Sequence, residues 1–275
     1  MKLKNRFLLV GLGIIVFLIL TPLLVLFARG FKLDLKNWQI VKTGILVVNT
    51  EPQKAKVFLD DEQIKDLTPS TVRFLLPGDY NIRVEKDGYL PWTKRLSVKS
   101  QFVTWANLNR EFIPLFLAEP KQEFDPQIPD EQIELVGEGP IQAGIYLFML
   151  KDSVLFKQNE ALEKIYEPVT QAYWDKSADR LVLLNNNEVL VFDPLSSGPD
   201  LILRSISEIK SAWLNWHTGY VFFQNEGKIK AIELDGRDHR NVYTLTDALD
   251  EFLVSKEGKK LYVFNGQEIK THRIR

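Results

Sequence analysis

The stretch 43–108 constrains the fold most, because short strand-like runs alternate there with turns of defined chemistry. Its hydrophobic period is two, which favours strands over helices. Pairs such as Pro77-Gly78 and Asp60-Asp61 are typical of tight turns. We therefore predict a compact β-sandwich of about six or seven short strands. The four clearest runs are Ile45–Asn49, Lys56–Leu59, Thr71–Leu75 and Tyr80–Lys86.

These residues resemble the PEGA domain over about residues 43–112. The sequence departs from the family pattern at Gln53-Lys54, where Glu-Gly would stand, and at Asp61, where Gly is usual. The resemblance implies an extracytoplasmic accessory or interaction module, and it brings no catalytic residues with it. The residues that match the family pattern are Pro52, Ala55, Val57, Asp60, Thr68, Pro69, Pro77, Gly78, Tyr80, Gly88 and Tyr89.

An uncharged run of 22 residues, from Phe7 to Ala28, precedes this region. At about 1.5 Å per residue it spans roughly 33 Å, enough to cross a bilayer core of about 30 Å. Pro22 lies inside the run, and Thr21 is a candidate partner for the carbonyl groups that proline frees. We predict a retained single-pass transmembrane helix. A cleaved signal peptide is the alternative, although its apolar core is usually only about 7–15 residues long.

Charge gives limited information on orientation and excludes one class of partner. Basic residues flank both ends of the apolar run, so the positive-inside rule discriminates little. The short N-terminal tail favours a cytoplasmic N-terminus at the plasma membrane, with the C-terminal domains outside the cytoplasm. Beyond residue 32 the chain holds 30 basic and 36 acidic residues. This acidic balance argues against a nucleic-acid partner.

The second half of the chain repeats itself with a period of about 40 residues. Equivalent apolar runs begin at Leu181, Tyr220 and Leu261, and a weaker copy begins near Gly144. This period, with two or more strands per unit, is typical of β-propeller blades. The pieces WDKSADRLVLL and VSKEGKKLYVF resemble the turn of Tol-type and related propellers. Closed propellers need at least about four blades. An array of about three is therefore predicted to be open, to close by self-association, or to be truncated.

The predicted fold class is an all-β soluble part behind one N-terminal transmembrane helix. The soluble part combines a small β-sandwich with β-propeller-like blades. The predicted divisions are a tail and anchor at 1–32, a PEGA-like sandwich at 33–117, an acidic proline-containing linker at 118–140 and a partial propeller at 141–275.

Residue patterns favour binding over catalysis. The chain has no cysteine, and its three histidines lack metal-binding spacing. No serine lies in a nucleophile motif. We therefore predict no catalytic residue, no metal site and no cofactor. The aromatic residues Tyr89, Trp92 and Trp105 are the candidate ligand or partner surface, although core packing is the favoured role for such side chains in a small sandwich.

The sequence thus predicts a membrane-anchored extracytoplasmic protein of the cell envelope that binds or scaffolds without catalysis. Its expected partner is a protein or an envelope glycan. One alternative is a subunit of a signalling or assembly complex that is recognised through an open propeller edge. A second alternative is a hydrolase of envelope polymers.

Overall fold

The computed structural model describes residues 3–35, 37–108, 111–124, 133–143, 145–158, 161–248, 250–266 and 268–275. Each of the four predicted divisions has residues outside these ranges: 1–2 of the tail, 36 and 109–110 of the sandwich, 125–132 of the linker, and 144, 159–160, 249 and 267 of the partial propeller. Gly144 is the predicted start of the weakest repeat.

The N-terminal apolar run forms one helix, α1, over Leu3–Ala28. It continues through Pro22 without a break in the helical assignment. Its apolar stretch Val10–Ala28 packs against almost nothing else in the protein, and its length and composition suffice to cross a membrane. A signal sequence has the same properties, so the structure shows a candidate anchor of undetermined orientation.

A short hairpin follows the helix and is called here the helix-proximal hairpin. Its strands β1 (Phe31–Asp34) and β2 (Gln39–Lys42) are antiparallel, and Leu33 lies opposite Ile40. Thr43 closes the connection, because its backbone N–H and its hydroxyl both donate to the Gly30 carbonyl.

Two sheets form a sandwich-like unit around one core. One sheet has the order β10-β3-β7, and the other has the order β6-β5-β8-β9. Leu46 and Val48 from the first sheet pack with Ile82 and Val84 from the second. The strands of this unit are β3 (Gly44–Val48), β4 (Thr50–Glu51), β5 (Lys56–Leu59), β6 (Glu62–Gln63), β7 (Ser70–Leu75), β8 (Gly78–Glu85), β9 (Trp92–Val98), β10 (Val103–Trp105) and β11 (Ile113–Pro114).

The predicted turn chemistry accounts for these strands. All four predicted runs are strands, with ends that shift by at most two residues. Asp60 and Asp61 have φ values of 47° and 68°, which a type I′ hairpin turn requires at both central positions. Parallel pairing was not predicted. The strand β3 pairs in parallel with β10, and β4 pairs in parallel with β11.

The rest of the chain forms antiparallel sheets that follow one another along the sequence, four of them among the described residues. The first sheet contains β14 (Ile141–Ala143), β15 (Tyr146–Lys151), β16 (Val154–Gln158) and β17 (Leu162–Tyr166). The second contains β13 (Ile133–Leu135), β18 (Gln171–Asp175), β19 (Arg180–Leu184), β20 (Glu188–Phe192) and β21 (Asp200–Arg204). The third contains β22 (Ile209–Asn215), β23 (Tyr220–Asn225), β24 (Lys228–Glu233) and β25 (Val242–Asp247). The fourth contains β12 (Lys121–Glu123), β26 (Phe252–Val254), β27 (Lys260–Asn265) and β28 (Glu268–Arg273).

Successive sheets share apolar cores. Phe148 of the first sheet packs with Phe192 of the second, and Val182 of the second packs in one cluster with Phe223 of the third. Phe222 of the third clusters with Phe252 of the fourth. Among the described residues no such cluster joins the fourth sheet to the first, so the four sheets form no closed ring there.

The fourth sheet is completed by a strand from before the first sheet. Lys121–Glu123 pairs antiparallel with Thr271–Arg273 of β28. It thereby covers the edge of β28 that an open array would leave exposed. The range 118–140, predicted as a linker, therefore contributes β12 to the fourth sheet and β13 to the second. Its proline and acidic composition concealed both strands, because each is only three residues long.

Candidate functional site at the junction of the two units

The sandwich packs directly against the third and fourth sheets of the second unit, which consists of the four sheets and is also called here the four-sheet unit. The junction between the two units contains buried charged side chains. Strand β9 supplies two buried side chains to it. Because side chains alternate across a strand, Trp92 and Lys94 point to the same face as Leu96 and Val98, and all four are buried. Trp92 and the side chain of Lys94 are both 0% exposed.

Lys94 lies in a buried charge cluster shared by both units. Its ammonium Nζ is 2.8 Å from Glu233 Oε2 and 3.5 Å from Asp235 Oδ2, and it donates to the Asp235 carbonyl at 2.7 Å. The Trp92 indole N–H donates to Glu233 Oε1 at 3.1 Å. Asn241 donates its amide to Glu233 Oε2 at 2.8 Å and also to the Thr93 carbonyl at 3.0 Å. Each buried charge thus has a charged or hydrogen-bonding partner, as a low-dielectric site requires.

Arg237 clamps the same junction from the loop after β24. Its guanidinium makes a fork to the Asp235 carboxylate, with the Nη2 to Oδ2 distance at 2.7 Å. The other guanidinium donors reach the carbonyls of Trp105 at 3.0 Å and Ala106 at 2.9 Å on the sandwich. A planar guanidinium with several fixed donors suits this bridging role.

The connecting segment 113–117 belongs to both cores. Ile113 and Leu115 lie in the sandwich core, whereas Phe116 packs in the core of the third and fourth sheets. Its backbone also pairs with both units. Leu90 N–H donates to the Phe116 carbonyl, and Leu117 N–H donates to the Ile274 carbonyl. The two units are therefore joined by a continuous packed region.

A polar cleft of about 340 Å³ opens beside this junction. Four cationic side chains and two carboxylates line it, so the lining carries an excess of positive charge. Glu51 pairs with Lys259 at 3.0 Å and with Arg275 at 2.7 Å. The Glu123 carboxylate lies 3.7 Å from the Lys260 ammonium. The lining residues are Glu51, Pro52, Tyr89, Glu123, Lys259, Lys260, Arg273 and Arg275.

Titration in the junction follows from burial and pairing. Burial alone would raise the pKa of the Glu51 carboxyl, but the hydrogen bond from Lys259 and the charge of Arg275 outweigh it and lower the pKa. Burial likewise opposes ionisation of Asp235, and the hydrogen bonds from Arg237 together with the charge of Lys94 bring its pKa below the ordinary value. Both carboxylates are thereby held in the charged form that the cations require.

The structure brings all three predicted surface residues to this junction. Trp92 lies inside it, so its ring is not available to an external ligand. Tyr89 is half-buried, lines the cleft and bridges to Leu117. Trp105 is half-buried and offers its carbonyl to Arg237. Trp92 and the Trp105 carbonyl thus contact the second unit of the same chain, whereas Tyr89 lines the cleft.

Sequence reasoning missed Lys94, Glu233 and Arg237. A lysine on a strand normally indicates a solvated face. The signal that was present is the position of Lys94 between Trp92 and Leu96 in an alternating strand, which places it on the apolar face. Arg237 lies in a stretch, Asp235–Asp238, that reads as a polar connection between repeats.

Among the residues that the structure describes, no group of three or more histidine, aspartate or glutamate side chains is arranged to hold a metal ion. His239 lies near Asp238 and Thr93, and its contacts are to those side chains. The predicted absence of metal, cofactor and catalytic residues stays a prediction.

Residues 43–111 match the PEGA domain family, which covers the sandwich and about a quarter of the chain. No curated protein is significantly similar to the chain. A PEGA domain behind an apolar N-terminal helix indicates a surface- or envelope-associated protein.

Proposed function

We propose that this protein is a non-catalytic, single-pass membrane-anchored scaffold of the cell envelope. Its PEGA domain would act as an adaptor that holds the four-sheet unit at a set orientation next to the membrane. The observation that carries this proposal is the junction, where Trp92 and Lys94 of the sandwich bind the second unit through buried contacts and Arg237 of the second unit binds the sandwich backbone. Because the PEGA domain packs directly on the rest of its own chain, it would fix the orientation of the four-sheet unit relative to the anchor.

The four sheets fit the blades of a propeller-like unit. They follow one another in the chain, adjacent sheets share cores, and the fourth is completed by a strand from the opposite end of the unit. The strand Lys121–Glu123 supports this assignment most, because it joins the start of the unit to its last sheet.

The cleft at the junction is the proposed contact for a partner. Its excess of positive charge suits an acidic group on a protein or an envelope glycan, and the half-buried Tyr89 lines the same cleft. Recognition through a sheet edge is less well supported. The outer strand of the first sheet, Leu162–Tyr166, carries charged residues of the kind that prevent edge pairing.

Membrane anchoring and topology are tested together in bacterial cells that express the full chain. Because the chain has no cysteine, Leu195→Cys provides one label site on the exposed surface of the four-sheet unit. We expect unprocessed protein in the carbonate-washed membrane fraction, and labelling of intact cells by a membrane-impermeant maleimide. A shortened protein released from the membrane would indicate a cleaved signal instead. Labelling only after lysis would reverse the proposed orientation.

A further inference from the structure

The helix-proximal hairpin has two chemically different faces. In the antiparallel register, Phe31 lies opposite Lys42 and Leu33 lies opposite Ile40, so these four side chains share one face. Lys32, Asp34, Gln39 and Val41 occupy the other. Lys42 lies over the Phe31 ring, so Leu33 and Ile40 form the apolar part of the first face.

Exposed apolar residues continue from this hairpin onto the nearest end of the sandwich. Leu35 and Trp38 flank the hairpin turn and are 69% and 81% exposed, and Phe102 on the sandwich is 65% exposed. The hairpin is held to this end of the sandwich. Lys42 donates to the Gln101 side chain at 2.9 Å, and Gln101 N–H donates to the Thr43 carbonyl. Phe27 of the helix stacks on Phe74 of the sandwich with ring centroids 5.0 Å apart.

Such a surface is not stable in water by itself. A two-stranded hairpin is marginal without a covered apolar face. Here the described residues leave about half of Leu33 and Ile40 and most of Trp38 exposed.

The position of this surface identifies what covers it. The hairpin begins at Phe31, three residues after the helix ends at Ala28, so Phe31 lies within about 10 Å of the helix end. That distance is comparable to the polar headgroup layer on one side of a bilayer, about 5–8 Å. Tryptophan and other aromatic side chains are enriched at this level. The segment 29–42 also carries four basic residues and one acidic residue, which favours contact with anionic lipid headgroups.

We infer that the helix-proximal hairpin and Phe102, in the loop between β9 and β10, form a membrane-surface platform. This platform inserts into the headgroup layer of the leaflet from which the helix emerges. The platform consists of Leu33, Leu35, Trp38, Ile40 and Phe102. This inference rests on the proposed function, because it requires the helix to be an anchor. It adds that the sandwich is seated on the bilayer, so that the junction stands at a defined height above it.

The test uses the full chain with single cysteines that carry an environment-sensitive fluorophore. The protein is reconstituted in vesicles of phosphatidylcholine and phosphatidylglycerol that contain lipids with a nitroxide quencher, placed either near the headgroup or deep in the acyl chains. Trp38→Cys and Phe102→Cys report on the platform. Leu18→Cys reports on the helix, and Leu195→Cys, on the four-sheet unit and similarly exposed, is the matched control.

We expect headgroup-level quenchers to remove most of the fluorescence at positions 38 and 102, deep quenchers to act at position 18, and neither to act at position 195. Quenching at position 18 without quenching at 38 and 102 would overturn the platform and leave the anchor standing. Absence of quenching at position 18 would overturn the anchor and the platform together. Quenching between labels at 38 that rises with protein density, without any effect of the lipid quenchers, would show that a second copy covers the hairpin and would also overturn the inference.

Discussion

At the scale of single residues, Lys94 shows why the two units cannot be treated separately. Its ammonium is enclosed by Glu233 and Asp235, and its side chain has no contact with solvent. The lysine comes from the sandwich and both carboxylates come from the third-sheet region. Separation of the units would therefore leave charges on both sides without their partners.

We expect Lys94→Met to destabilise the protein by about 3–5 kcal/mol, because the buried Glu233 carboxylate loses its cation and Asp235 keeps only Arg237, while the side-chain volume is kept. Chemical denaturation followed by circular dichroism measures this change. Arg95→Met is the matched control. Arg95 is 60% exposed and pairs with Asp79 at 3.3 Å, so its loss should cost less than about 1 kcal/mol. Equal costs for the two variants would contradict the burial of the cluster.

The lowered pKa of Asp235 predicts acid sensitivity. A carboxyl whose pKa is lowered by folding stabilises the protein above its unfolded-state pKa, and this stabilisation is lost as the pH falls through the folded-state pKa. We therefore expect the stability of the protein to fall as the pH drops below about 3.8, the ordinary value for Asp235. Asp235→Asn should be less stable at neutral pH and should lose less on acidification. Parallel pH profiles for the two proteins would place the acid sensitivity elsewhere.

Asp61 has the backbone conformation that its turn requires, but its residue type is not the one that adopts this conformation most easily. It has a φ of 68°, where the family pattern has glycine, and its salt bridge to Arg83 is long and exposed. We expect Asp61→Gly to stabilise the protein by up to about 1 kcal/mol, because glycine adopts this conformation without strain. Asp61→Ala should be neutral or destabilising in the same denaturation experiment. A loss of stability with glycine would mean that the Asp61 carboxylate contributes more than the strain costs.

At the scale of elements, the short strand Lys121–Glu123 has the largest effect on the architecture for its length. It pairs with the last strand and covers the edge of the fourth sheet. Lys260 and Arg273 lie 3.7 Å and 4.0 Å from Glu123, so charge pairing supports the same contact.

Hydrogen exchange distinguishes this strand from a free linker. We expect the amides of a peptide covering 121–123 to be protected together with those of Glu268–Arg273, because the two strands share backbone hydrogen bonds. Mass spectrometry after a short exposure to deuterated buffer gives the comparison, and the exposed turn around Leu195, which has only local hydrogen bonds, is the weakly protected reference. Full exchange of the 121–123 peptide in seconds, while Glu268–Arg273 stays protected by its pairing with β27, would show that the short strand is not paired.

How much of these elements could be predicted differs from one element to the next. The strands of the sandwich follow from period-two alternation and from turn residues such as Pro77-Gly78, which act locally. The apolar helix follows from length and the absence of charge. The pairing of Lys121–Glu123 and the burial of Lys94 depend on contacts across about 150 and 140 residues. Such contacts leave no local pattern in a single sequence.

At the scale of the whole molecule, the junction makes the sandwich and the four-sheet unit one structural body. Phe116 lies in one core while Leu115, beside it, lies in the other. Arg237 connects the units through hydrogen bonds to backbone carbonyls, which do not depend on the partner side chains.

We therefore expect a single cooperative thermal transition for the soluble part of the full chain in detergent. In Lys94→Met, which weakens the junction, the transition should separate into two. Calorimetry measures the number of transitions, and Arg95→Met should retain one. Two transitions in the unmodified protein would contradict the adaptor role of the PEGA domain.

The pairing of Lys121–Glu123 with the last strand also affects the order of events during synthesis. This strand leaves the ribosome, or a membrane channel, before any of the four sheets, whereas its partner Glu268–Arg273 follows about 150 residues later. A pairing so distant in sequence forms slowly, because a long loop must close first. The early strand must therefore wait unpaired until the last one arrives. A chain interrupted before residue 268 would expose that unpaired strand and the bare edge of β27, and both are templates for pairing with another unfinished copy.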